Sequence, residues 1–539
     1  MAANDPSGRS WSRRDFLRAA AACAAVTALD WSRLRALAAE VGPKSAYPVV
    51  VIGAGLGGLS VAAHLAKDGF PVTVLERRDV PGGYAVSFQR GDFRFEVAPT
   101  YTLGLAPLLE DLGIADQVEL YTTPEGLHAL APGLDLSLPH SDPEAMASVL
   151  AARFPAESDG IRGYLAELKD LTREIRTPVT DPKSMATTHP VMWRLAGETE
   201  EQFLGRHLRD PKLKAVLALF GAAYGTPPSQ LNALNYGRGA AAIMASGRQY
   251  LRRRPSSLAD ALARVVEKGG GRVRCGTEVE RILLKDGAAV GVRTSSGSEV
   301  AARAVISNAP APITFGKLLP PDALPPSYAE KLRTYRSSSS TFLVWLGLRG
   351  ELRGRIPGYS HHVLPENLDW EAAARALRAG DPAGAGFGVY LADNADPGYT
   401  KPGRSTVKLL LLYPYDPWKR FEADYLAGRK EAYRKEKERV AEILIDRAER
   451  WVIPGLRSSI EVMEAASPLT NLRYTSNPDG AILGYECSMD NCWRTRIKNR
   501  TPVKGLYLAS AWGDPGGGVN PVMRSALNVY KSLLADWSG

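Results

Sequence analysis

Two glycine clusters and one carboxylate carry the clearest chemistry in this sequence. Gly53-Ala54-Gly55-Leu56-Gly57-Gly58 follows an apolar, β-branched run, residues 47–52, and precedes Leu59, Ala62, Ala63 and Leu65 at helical spacing. Strand, tight turn and helix in that order make the plan of a dinucleotide site. Gly53 permits the turn, Gly55 lets backbone approach a pyrophosphate, and Gly58 lets the helix pack on the strand, with the phosphates at the helix N-terminus. A second strand, residues 71–75, ends at Glu76, 21 residues after Gly55, where a carboxylate can hold the hydroxyls of an adenosine ribose. Near the other end, Leu506-Tyr507-Leu508-Ala509 leads into Asp514-Pro515-Gly516-Gly517-Gly518-Val519 and a predicted helix to about residue 534. Consecutive glycines expose amides and leave a thin wall against a planar ligand, and the helix N-terminus beyond them stabilises negative charge.

The kind of dinucleotide follows from the next segment. Arg77-Arg78-Asp79-Val80-Pro81-Gly82-Gly83 resembles the stretch after the acid in FAD-binding amine oxidases and polyene desaturases, which NAD sites lack. Gly82-Gly83-Tyr84-Ala85-Val86-Ser87-Phe88, with Phe93-Arg94-Phe95-Glu96-Val97-Ala98-Pro99-Thr100, resembles the phytoene desaturase, carotenoid isomerase and retinol saturase superfamily. Tyr84 stands where amine oxidases usually carry Arg, and Ala511 near the place of their ribityl-holding Glu. Glu96-Val97-Ala98 departs from the superfamily's Asp-x-Gly. The turn at Tyr224-Gly225-Thr226-Pro227-Pro228-Ser229 and the segment from Asn477 to Glu486 add weaker matches. In Tyr250-Leu251-Arg252-Arg253-Arg254-Pro255 the two arginines 253 and 254 replace a glycine pair, so close backbone approach is expected to be lost there. These arginines either meet phosphate groups or face water. The likeness covers about residues 47–310 and 465–539. It implies FAD, held by Gly53, Gly55, Leu56, Gly57, Gly58, Glu76, Arg77, Gly82 and Gly83 at one end and by Asp514, Gly517, Gly518 and Val519 at the other.

Elements of an α/β fold must bring these distant pieces together: a Rossmann-type FAD-binding domain of the glutathione-reductase and amine-oxidase kind, with an interposed α+β substrate domain. The expected division is a signal segment, 1–39; FAD-binding parts at 47–104, 246–311 and 466–539; and substrate-domain parts at 105–245 and 312–465. A predicted helix, 256–267, a strand, 272–275, and short strands at 279–284, 290–294 and 300–306 return the chain to the nucleotide domain. Val279 is then either a backbone contact to adenine or a core valine. Residues 239–245, small and apolar, read as a tunnel wall or a buried helix. Residues 431–451 read as a surface helix whose Val440, Ile443, Leu444 and Ala448 share one face.

At 539 residues with 45% apolar and 23% charged side chains, the chain is an ordinary globular protein, and a short binding module is excluded. A net charge of +9 spread along its length argues against nucleic acid and weakly for anionic membrane surfaces. Ser12-Arg13-Arg14-Asp15-Phe16-Leu17, an alanine-rich run and Ala36-Leu37-Ala38 resemble a twin-arginine export signal with its cleavage site; a basic amphipathic helix is the other reading. Four cysteines are too few for a disulfide framework. Cys487 and Cys492 have the spacing of a flavin disulfide reductase, but lie far from the first glycine motif, where such a pair belongs. No metal site is expected, and His361-His362, which alternate sides if on a strand, receive no role.

The resemblance therefore implies an FAD-dependent oxidoreductase exchanging hydride between an apolar, isoprenoid-like carbon chain and the flavin, by desaturation, saturation or isomerisation. Such chemistry asks the protein to position a C–H bond and exclude water, so no catalytic side chain is named; Tyr485, Glu486 and Asn520 are the nearest positional candidates. The expected partners are a membrane surface and, as electron acceptor, quinone or oxygen. Two rivals stand beside this: an exported amine or amino-acid oxidase, marked by an aromatic cage and a carboxylate-binding Arg, and a flavin-free prenyl-lipid carrier of the same fold.

Overall fold

Val49–Ile52 is buried along its whole length, as a central strand covered on both faces must be. The computed structural model describes residues 31–538 except 99, 125, 178, 180–183, 493 and 494, so the paired arginines of the expected signal lie outside the described residues. The central strand pairs in parallel with Val72–Leu75 on one side and Ala304–Ser307 on the other. Arg272–Arg274 extends one edge and Leu506–Leu508 the other. Five strands from widely separated stretches thus make one parallel sheet. Helices Leu56–Lys67, Pro255–Lys268 and Val519–Ser538 share its apolar core. This is the Rossmann-type architecture.

Val279–Lys285, Ala288–Thr294 and Glu299–Ala301 form an antiparallel meander beside that sheet. The single strand expected at 300–306 is instead two, and the reason is a change of hydrogen-bond partner. Ala302 N–H still donates to Val290 O in the meander, whereas Arg303 N–H donates to Pro48 O at the parallel sheet.

The interposed stretches build a second layer together. Ile460–Ala466, Ser340–Arg349, Arg404–Tyr413, Phe387–Tyr390, Ser360–Val363, Leu127–Ala131 and Leu134–Leu138 lie side by side in one sheet. Only Ser360–Val363 and Leu127–Ala131 run parallel within it. Helix Glu431–Trp451 packs Val440, Leu444 and Ala448 against this layer, while Ile443 is half-buried. After the hairpin, helices Pro143–Arg153, Ser158–Arg176, Glu200–His207 and Ala233–Ser246 form a helical layer with its own core. Glu167 ties it together, accepting from Arg194, Arg206 and His207. Burial pushes its carboxyl up, but the three donors outweigh that and hold it well below the usual carboxylate range.

Candidate functional site

A cavity of about 650 Å³ is bounded by both sheets and by the helical layer. Gly53, Gly55, Leu56, Gly57, Glu76, Arg77, Gly82, Gly83 and Val279 line it at one end, and Gly517, Gly518 and Val519 line it as well. Two residues assigned from the sequence do not. Gly58 lies behind the lining, where a Cβ would come 2.2 Å from Gly53 O, so its role is the close packing of helix on strand. Asp514 is turned away: its carboxylate pairs with Lys498 at 3.2 Å and its carbonyl accepts from Asn499 Nδ2.

The nucleotide end has free donors and an oriented acceptor. Gly55 caps helix Leu56–Lys67 without a side-chain hydrogen bond, so the first-turn amides are left for a phosphate. Glu76 Oε2 accepts from Ala54 N–H at 2.8 Å and Oε1 from Arg78 N–H at 2.9 Å. Each oxygen keeps a lone pair for a ribose hydroxyl. Asn308, not singled out from the sequence, donates from Nδ2 to Ala509 O at 2.5 Å and fills the space beside Gly55 and Gly57. It joins the two halves of the nucleotide fold, and its position directly after strand Ala304–Ser307 was the one signal available.

At the flavin end a Cβ on Gly517 would lie 2.4 Å from Leu483 Cα, so only glycine lets the two segments touch. Tyr84 OH donates to Ala481 O at 3.2 Å, and Trp512 Nε1 donates to Asn477 Oδ1 at 2.9 Å. The segment around residues 477–484 and the glycine-rich turn are thereby fixed to each other. Asn520 lines the cavity and donates to Gly104 O, whereas Tyr485 and Glu486 are absent from the lining. The uncapped helix start, the oriented carboxylate and the glycine cradle fit FAD.

Beyond this end the cavity becomes an apolar chamber walled by Phe220, Ile243, Phe387, Leu410 and Leu412. Two ionisable groups on its lining are buried. Glu200, 1% exposed, leaves Oε1 without a hydrogen-bond partner among the described residues, and burial, then the charge of Glu371, pushes its carboxyl well up. Arg248, 4% exposed, lies over the Tyr101 ring and donates to His362 Nε2 at 3.0 Å. Burial, then Arg248 itself, holds that imidazole well below its ordinary value, so it is a neutral acceptor. Behind the chamber Glu96 accepts from Tyr250 OH at 2.8 Å near Lys408; burial raises the carboxyl and lowers the ammonium. His361 points the other way from His362, its ring tilted against that of His128 with centroids 5.2 Å apart, as alternation on a strand requires. Cys487 is buried beside Arg496, and neither it nor Cys492 lines the cavity.

Arg253 faces water, one of the two roles expected for this pair, while Arg254 is half-buried. Their φ angles are 58° and 79°, so the backbone keeps a conformation that favours glycine even though glycine is absent. Neither lines the cavity. Arg254 lies over the Tyr399 ring, and Arg253 is exposed with Glu119 at 3.7 Å.

Residues 56–529 match the family described as flavin containing amine oxidoreductase. The chain is 26% identical to a prolycopene isomerase of Daucus carota, over 92% of this chain and 81% of the relative. It is also 26% identical to a neurosporene-forming phytoene desaturase of Rhodobacter capsulatus, over 90% and 93%. A putrescine oxidase structure superimposes with a TM-score of 0.62 at 15% identity, covering 91% of this chain and 99% of that one, which bears on the fold alone.

Proposed function

The chain belongs to the flavin containing amine oxidoreductase family, and from that premise we propose that it is an FAD-dependent oxidoreductase acting on carbon–carbon bonds of an apolar, isoprenoid-like polyene. The observation that carries the substrate class is the apolar chamber opening from the flavin end of the cleft. The activities of the carrot isomerase and the bacterial desaturase, to which the chain is similar, support it. When bound, FAD supplies hydride transfer at N5. The residues of this chain do the rest. Gly517 and Gly518 would give the ring system a thin wall, and the amides opening helix Val519–Ser538 would stabilise negative charge on it. Phe387, Leu410 and Leu412 align an extended carbon chain and exclude water. Each hydride exchanged at one carbon is matched by a proton lost or gained at its neighbour, so desaturation and saturation move one proton for every hydride.

Export by the twin-arginine route to a periplasmic or extracellular site, association with a membrane surface, and quinone or oxygen as acceptor belong to the same proposal. Arg13-Arg14 and the modest positive charge support them. Among the described residues no helix is long and apolar enough to cross a membrane. An amine or amino-acid oxidase is the second reading, favoured by one observation, the cation Arg248 beside Tyr101 in the chamber. The flavin-free carrier is disfavoured by the uncapped helix start and the free acceptor capacity of Glu76.

Anaerobic mixing of the yellow enzyme with polyenes, retinoids and amines tests this, read as bleaching of the oxidised flavin absorbance or its return. Exchange with a polyene is the expected result. Bleaching by an amine alone, or a sample that stays colourless after FAD addition, sinks the proposal.

A further inference from the structure

Arg248 is a buried charge that the redox chemistry does not use. Its guanidinium lines the chamber at 4% exposure, with Nε buried and lacking a hydrogen-bond partner, and its one side-chain acceptor is the neutral His362. Among the described residues it forms no ion pair. An arginine does not lose its proton in a protein, and a buried charge without a counter-charge is costly. The backbone on either side is well held: Arg248 N–H donates to His140 Nδ1 at 2.6 Å, and Gln249 exchanges both backbone hydrogen bonds with Thr102. Arg248 Cζ lies 4.5 Å from the centre of the Tyr101 ring, a cation–π contact that holds the guanidinium at the chamber wall. A planar fork held this way matches a carboxylate. The other cations on the cavity lining differ: Arg77, Lys317 and Arg378 are exposed and Arg78 is half-buried. One fixed, desolvated positive charge calls for a singly charged ligand group and not for a diphosphate.

We propose that Arg248 receives a carboxylate at the end of the substrate, so that the preferred ligand is a polyene acid and not a hydrocarbon. This rests on the polyene reading above and narrows it. The carboxylate would accept from the guanidinium while Tyr390 and Leu410, which share the lining, hold the adjoining carbons.

The test uses the FAD-loaded enzyme without oxygen and compares all-trans-retinoate, all-trans-retinol and β-carotene by their perturbation of the flavin spectrum, with the flavin midpoint potential as a second readout. Retinoate should bind on the order of 10- to 100-fold more tightly than retinol, the range of a hydrogen bond to a charged group. R248Q should bring the affinities for retinoate and retinol level with each other; R248K, which keeps the charge but loses the fork, should restore part of the preference. Equal affinities in the unmodified enzyme, or a preference that survives R248Q, overturn the proposal. So does a potential shift in R248Q with the preference intact, which puts the charge to work on the flavin. An amino acid that bleaches the flavin and depends on Arg248 overturns it in favour of the oxidase. Binding of retinol and retinoate without discrimination defeats only this inference; binding of none of the three polyenes defeats the polyene reading too.

Discussion

Glu200 and Arg248 share the chamber but differ in what their charges do. Glu200 is held protonated by burial and then by Glu371, so its folded pKa lies above the unfolded value of about 4.3. The folded state therefore binds the proton more tightly. The associated stability is complete below about pH 4.3 and is lost as pH rises toward the folded value. E200Q removes that loss: its melting temperature should match the parent near pH 4 and exceed it near pH 8. Thermal unfolding across that range decides it; a shift of equal size at both ends means that Glu200 is not the titrating group. Neither residue was legible beforehand, because no spacing marks them. Glu200 opens a helix after a Thr199 capping box, which reads as local capping, and Arg248 stands before the short strand Gln249–Leu251. Glu76, by contrast, was readable, since its place at the end of a strand after a glycine turn leaves a carboxylate little else to do.

Elements explain why the glycine motif tolerates no side chain at its last position. G58A places a Cβ 2.2 Å from Gly53 O, a backbone atom, so helix Leu56–Lys67 must lift from its strand. A cost of about 1–3 kcal/mol and weakened flavin retention are expected, read from thermal unfolding and from the ratio of flavin to protein absorbance. G205A is the control: nothing lies within 4 Å of its Cβ, and alanine in that helix should stabilise by about 0.5–1 kcal/mol. If G58A keeps its flavin and its melting temperature, the packing argument fails. Helices and strands were legible wherever the apolar period was regular, as in Glu431–Trp451. The break at Ala302-Arg303 was not, because both sides are equally β-prone and only the partner of each backbone N–H differs. Arg253 and Arg254 escaped for a related reason. Composition there speaks for solvated side chains, while the chain path imposes positive φ on them.

The whole molecule incorporates part of the segment read as a removable signal. Helix Trp31–Glu40 buries Leu34 and Ala38, pairs Arg35 with Asp111 at 2.7 Å and stacks Trp31 on His64. The cleavage candidate Ala36-Leu37-Ala38 therefore lies inside a packed helix. A chain starting at residue 40 should be less stable than one starting at residue 31 by roughly 2–4 kcal/mol, mostly from burial of Leu34 and its neighbours. Comparing their denaturant midpoints checks this, and identical midpoints would show that the helix contributes nothing. What the amino-acid order decided alone was the nucleotide fold, because strand, glycine turn, helix and terminal acid are constraints between neighbours in sequence; the flavin followed from the resemblance carried by the segments after Glu76 and around Gly517. What only the tertiary structure decided was the chamber. Its walls come from a helix near residue 243, a strand near 388 and another near 410, and its charge from Arg248. Burial and the lack of a counter-ion are properties of the space those segments enclose, so no segment read by itself could reveal them.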